Sequence, residues 1–508
     1  RGRPIPQKGI NGKAVQVFSM GIVLKQSLNN TLITYGGFAI GALNLLFLYT
    51  RFLSDEYFGL VNVILSASSV LMPILAFGIP NTLVKYYSGF QERNGKDGFL
   101  TLMVFLPLIL IVPIGAISYL ANETIGDFLS KENPIVKGYV WHIFIIGVAM
   151  AYFEVFYAWA KVQMKSVFGN FMKEVFSRIV ISVLLLMVYW DVISVLTFLN
   201  AMVGMYILRT LIMQAYALRS LRLKLNFSFP ANTREILTYS TLIILGGSAA
   251  IVLLEVDKVM INQFIEIKNV AYYSVAGDIA TVIAVPSRSM HNITYPLTAE
   301  ILHKKDITAL KTLYQKSSLT LFIVSGLIFI LIVLNLNDLY NLLPESYRGG
   351  YVIVFIIGFA RVYDALLGNN NAIMYNSDFY RALLLMGVAL AILTILLNLW
   401  LIPKYGLDGA AIASFMAFFI YNSIKLGFVK WKFGIQPITK ETFKVIFLLL
   451  ALSTIFYFVS FPFHPVLNIA LKSFLILLCY IFVLYRFKIS SDVSGAISFY
   501  LGKLGGRK

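Results

Sequence analysis

This sequence predicts an all-α membrane protein with about fourteen transmembrane helices, and three observations predict it. Of its 508 residues, 59% are hydrophobic and only 13% are charged, with a mean hydropathy of +0.79. Soluble domains carry roughly twice that share of charge. Apolar runs such as Phe99–Ala121 continue for ~20 residues without the alternation of a barrel strand, so helices are the structure that satisfies the backbone in lipid. The Lys and Arg residues behind the net charge of +18 cluster between these runs. That pattern sets membrane orientation and does not point to nucleic acid.

At roughly 20 residues per span, apolar segments fall near 31–50, 59–79, 99–121, 138–160, 175–190 and 192–217. They define a first lobe over 20–217. A basic connector over 218–235 follows, with Arg219, Arg222, Lys224, Arg234 and Pro230. A second lobe over 236–428 has spans near 236–265, 271–296, 317–335, 350–368, 382–402 and 408–428. The region 429–485 holds a basic linker and two final spans, and 486–508 forms a tail. Residues 1–19 are polar, precede Met20 and are read as a non-native or upstream extension. With the N-terminus inside, Lys and Arg favour the cytoplasmic segments roughly fourfold, which predicts an inner-membrane protein with both termini cytoplasmic. The turn after the first span (Phe52-Leu53, then Tyr57-Phe58-Gly59) is echoed after the seventh by Phe264-Ile265 and Tyr272-Tyr273-Ser274. Six spans per half give a parallel repeat.

Three stretches carry a family resemblance. They are Leu48–Gly59 with Gly78–Tyr86, Glu255–Asn262 with Ala271–Ala276, and Leu401–Ser414, where Pro403, Gly406 and Gly409 punctuate a turn between long apolar runs. In this order and at these distances the chain resembles the polysaccharide-transporter and O-antigen flippase family, within the superfamily that also holds multidrug-and-toxin extrusion proteins. The resemblance implies two six-helix lobes forming a V around a central cavity, plus two C-terminal helices. It also implies a lipid-linked oligosaccharide substrate, with a glycan polymerase or glycosyltransferases as possible partners alongside membrane lipids.

Charged groups at bilayer depth cost ~2.5–3.5 kcal/mol each, so they mark cavities or pairs. Asp278, Thr281, Arg288, Asn292 and Tyr295 share one face of span eight. Glu255, Lys258 and Asn262 share a face of span seven, and Arg361 and Asp364 lie one turn apart in span ten. The substrate-binding candidates are Arg288, Lys258, Arg361, Asn292 and Thr281, with the cations facing a lipid diphosphate. Coupling candidates are Asp278, Glu255, Asp364 and, in the first lobe, Glu154. The competing reading pairs Lys258 with Glu255, Arg361 with Asp364, and Arg288 with Asp278 or with a carboxylate on another helix. Arg178 and Arg209 are expected to snorkel from near span ends.

Neither the four His residues nor the single Cys479 has metal-ligand spacing, so no metal or cofactor is implied. There is no P-loop and no catalytic triad or carboxylate pair on a loop. The sequence therefore predicts a transporter, not an enzyme: a flippase for undecaprenyl-diphosphate-linked oligosaccharide. A cation-coupled multidrug-type exporter is the alternative. A membrane glycan polymerase fits less well, because the connectors reach only ~15–20 residues.

Overall fold

The computed structural model describes residues 29–30, 32–90, 95–490 and 495. Met20, the stretch 1–19 and most of the 486–508 tail lie outside the described residues. Within them the chain is helical throughout, with no strand. Nine helices are long and apolar enough to cross a membrane, which makes this a multi-pass membrane protein. That number is below the fourteen expected partly because the helix Tyr380–Phe433 counts once, although Gly406 breaks it at φ 57°, ψ −131°.

The elements of the first half are α1 (Leu32–Phe52), α2 (Asp55–Leu75), α3 (Ile79–Phe90), α4 (Lys96–Leu120), α5 (Pro134–Lys161), α6 (Ser166–Phe171, continuing through a π-helical segment, Met172–Phe176, into Ser177–Tyr189) and α7 (Val195–Ser220). The second half contains α8 (Thr233–Phe264), α9 (Lys268–Thr281), α10 (Val285–His303), α11 (Ile307–Leu334), α12 (Tyr351–Leu366) and α13 (Tyr380–Phe433). Two further helices follow, α14 (Lys440–Tyr457) and α15 (Pro465–Arg486), and they pack on α11. Polar side chains start several helices by accepting an orphan backbone N–H: Ser54 for α2, Ser194 for α7 and Asp306 for α11.

The two echoed turns of the sequence meet in space. Gly59 on α2 lies against the carbonyl of Ile267 between α8 and α9, so close that a Cβ would collide with it. Asn133 completes this contact. Its side chain donates to the carbonyls of Asn262 (2.8 Å) and Ile265 (3.0 Å) and accepts from the N–H of Ile267 (2.8 Å). Tyr272 donates to Asp55 (2.7 Å) across the same junction. The halves also touch near the connector, where Thr82 and Ser240 share a hydrogen bond (2.7 Å) and Tyr86 donates to Glu235 (2.9 Å). The connector itself is pinned to α4, with the N–H of Asn226 donating to Thr101 (3.0 Å). In the Leu401–Ser414 stretch, Gly406 adopts the left-handed backbone that favours glycine, and Gly409 abuts the Leu401 carbonyl.

Candidate functional site between the halves

Two neighbouring carboxylates of helix α8 have opposite fates. Asp257 is buried within the second half and saturated by neutral donors from three other segments: Tyr273 (2.6 Å), Asn398 (2.7 Å) and Ser414 (2.5 Å). It ties α8 and α9 to both arms of α13. Glu255, two residues earlier, faces the other way. It accepts from Ser66 on α2 (2.7 Å) and pairs with Lys258 (3.4 Å), so this contact spans the two halves.

Asp278 on α9 joins the same field, its charged neighbours being Lys258, Glu255 and Arg178. Asp278 therefore feels the charges of Lys258, Glu255 and Arg178, the last of which the sequence had placed at a span end. Helix α6 begins at Ser166, well before the expected start of its span, so Arg178 lies in mid-helix. It pairs with Glu174 (2.9 Å) and sits 5.3 Å from the Phe38 ring centroid on α1. Arg209 does not snorkel either. It is buried against the rings of Phe153 (4.2 Å) and Tyr206 (4.8 Å).

Arg288 is exposed and has no ion pair among the described residues; its guanidinium lies 5.2 Å from that same Phe38 ring of the first half. The expected pairing with Asp278 is not made. Arg361 is likewise outside ion-pair distance of Asp364, although that carboxylate and Arg288 are both among its charged neighbours. Its guanidinium packs on Phe418 (4.9 Å), and its Nε is buried without a hydrogen-bond partner among the described residues. Asp364 accepts from Asn422 instead (3.2 Å). Of the three pairs the sequence allowed, only Lys258–Glu255 forms.

Two candidates have partners within their own half. Thr281 spends its hydroxyl on the Gly277 carbonyl of its own helix (2.9 Å). Glu154 is held by Lys173 inside the first half (2.5 Å). The side chain of Asn292 lies outside the described residues.

Sequence reasoning missed Lys425. It is 1% exposed, donates to Asn371 (2.8 Å) and lies over Tyr421 (4.2 Å), close to Asp364. Its neighbours include Asn370, which donates to Tyr314 (2.8 Å), and Asn369, which bonds Thr298. The signal was present as the Asn369-Asn370-Asn371 run, but Lys425 stands near the end of its apolar segment, where a lysine ordinarily reaches for water. Among the described residues, no three His, Cys, Asp or Glu side chains are grouped to hold a metal ion.

The family of polysaccharide biosynthesis proteins matches residues 23–302, more than half of the sequence. The chain belongs to that family. Comparison with curated proteins finds no matching sequence. Among solved structures, the fold is similar to a lipid II flippase MurJ in an inward closed conformation, with a TM-score of 0.73 at 15% identity over 91% of this chain and 99% of that one. It is also similar to an inward-facing multidrug resistance MATE transporter of the MOP superfamily, with a TM-score of 0.62 at 14% identity over 80% and 98% of the two chains. A third likeness is the MATE multidrug transporter DinF-BH, at 0.53 and 15% identity over 85% and 98%. This member of the polysaccharide biosynthesis family thus has the MurJ- and MATE-like transporter fold, and Arg178 of its first half and Arg288 of its second approach the same Phe38 ring.

Proposed function

We propose that this chain is a flippase carrying an undecaprenyl-diphosphate-linked oligosaccharide across the inner membrane by alternating access. Its lobes, 20–217 and 236–428, would rock about the central gap, with 429–485 as an accessory pair. The observation that carries the reading is Arg288, an exposed guanidinium between the halves with no carboxylate in ion-pair contact among the described residues. An intramembrane arginine left without an acid suits an anionic ligand, and guanidinium matches phosphate oxygens in pairs. Asp257 is satisfied inside the second half, so its negative charge does not compete with Arg288 for an anionic ligand. A multidrug-type exporter fits less well, because Glu154, the deep first-half carboxylate, is already neutralised by Lys173.

Deleting the gene tests the substrate class. The expected result is accumulation of undecaprenyl-linked glycan in the inner leaflet, reversed by the wild-type gene. Unchanged glycan export together with new sensitivity to cationic dyes would favour the exporter instead.

The orientation is part of the proposal: the N-terminus, the connector and the tail face the cytoplasm. In a Cys479→Ser background, a cysteine placed at Asn122 should react with an impermeant maleimide added outside intact cells. Reaction only after the cells are opened would reverse the topology.

A further inference from the structure

Phe38 is wedged at the meeting of two cations from opposite halves, Arg178 of α6 and Arg288 of α10, each just over 5 Å from its ring centroid. The two guanidinium carbons are therefore no more than about 10.5 Å apart, close enough for one diphosphate to reach both. Arg178 is built into its place. A Cβ at Gly37 would come within 2.7 Å of its Nη1, and a Cβ at Gly41 within 2.8 Å of its Nε, so two glycines on α1 open the track in which the side chain lies. Asn44 fixes the backbone beneath it, donating to the Arg178 carbonyl (2.8 Å) and accepting from Ser182 (2.6 Å). π-Helical segments, Asn44–Tyr49 and Met172–Phe176, stand beside this contact on both helices, a distortion frequent at functional sites.

We infer that Phe38 holds the seat of the ligand's phosphate between Arg178 and Arg288, and that the incoming diphosphate displaces the ring. This rests on the flippase reading above and adds a placeholder to it. A ring face attracts each guanidinium and occupies the space between them, while Glu174 pairs with Arg178 and leaves Arg288 as the one of the two without an ion pair among the described residues. A charge-assisted bond to a phosphate oxygen is stronger than that attraction, so the exchange runs toward the ligand. Because the two arginines come from different halves, loading the seat pulls on both.

The test uses the full chain in nanodiscs and geranyl diphosphate as the probe, with affinity read by calorimetry. Arg178→Gln and Arg288→Gln should each weaken binding at least roughly tenfold. Phe38→Ala should tighten it roughly three- to tenfold, because the competitor is gone. Phe38→Leu, which keeps the helix packed but has no ring face, should tighten it in the same direction. Weaker or unchanged binding in a Phe38→Leu protein that melts like wild type overturns the placeholder while leaving the flippase reading intact, provided Arg288→Gln still loses affinity. If neither arginine variant changes binding, the diphosphate reading itself fails.

Discussion

Arg288→Ala is expected to abolish transport while the protein remains in the membrane at its normal level. The side chain is exposed between the halves, and its only described close partner is the ring of Phe38. Removing it breaks no ion pair among the described residues, so the fold loses little. The ligand, in contrast, loses a bidentate phosphate contact, and a charge-assisted bond of this kind is worth ~1.5–3 kcal/mol. That corresponds to roughly a ten- to hundredfold loss of affinity in the loaded state. Arg288→Lys should restore transport only in part, because a point charge replaces a planar fork. Adding Asp278→Asn to Arg288→Ala should not rescue it, since Asp278 lies in the field of Lys258, Glu255 and Arg178 and makes no ion pair with Arg288. Complementation of a deletion strain, with immunoblotting of membranes, reads all three. Full complementation by Arg288→Ala, or rescue by Asp278→Asn, would make Arg288 a structural residue.

Asp257→Ala should fail in the opposite way, through the protein's abundance. Tyr273, Asn398 and Ser414 all donate to this one carboxylate in a buried site. Truncation leaves three donors without an acceptor, and each unsatisfied buried group costs ~1–3 kcal/mol. Even partial relaxation leaves a loss large enough to lower steady-state levels several-fold. The second half should loosen most, because the carboxylate joins α8 and α9 to both arms of α13. Membrane level and thermal melting in detergent measure this. A normal level and wild-type melting with transport lost would mean that Asp257 serves the transport cycle and not the fold.

The contrast between these two residues shows what could be read from the chain alone. The helical membrane class and the Gly406 break follow from hydropathy and from backbone restrictions that glycine alone escapes, both of which are local. The fate of a polar group in lipid is not local. Lys258 and Glu255 could be paired from their spacing because they share one helix face. Arg361 and Asp364 have the same three-residue spacing, yet Asn422 takes the carboxylate and Phe418 takes the guanidinium, both from α13. Arg178 looked terminal because the polar residues of 166–174 hid the first turns of α6. Phe38 carried no signal at all, since a single aromatic residue in an apolar run is ordinary. Its place beside Arg178 of its own half and Arg288 of the other is visible only in the fold.

The most direct test is flipping in reconstituted vesicles. Purified protein is inserted into liposomes that contain a polyprenyl-diphosphate-linked oligosaccharide in both leaflets, and a glycan-cleaving enzyme is added outside. With wild-type protein all of the substrate should become cleavable, because the inner-leaflet pool is carried outward. With Arg288→Ala about half should stay protected, as it does in protein-free vesicles of a symmetric bilayer. Protection of the inner pool by wild-type protein, under conditions where the vesicles are sealed and the protein is folded, would contradict the account.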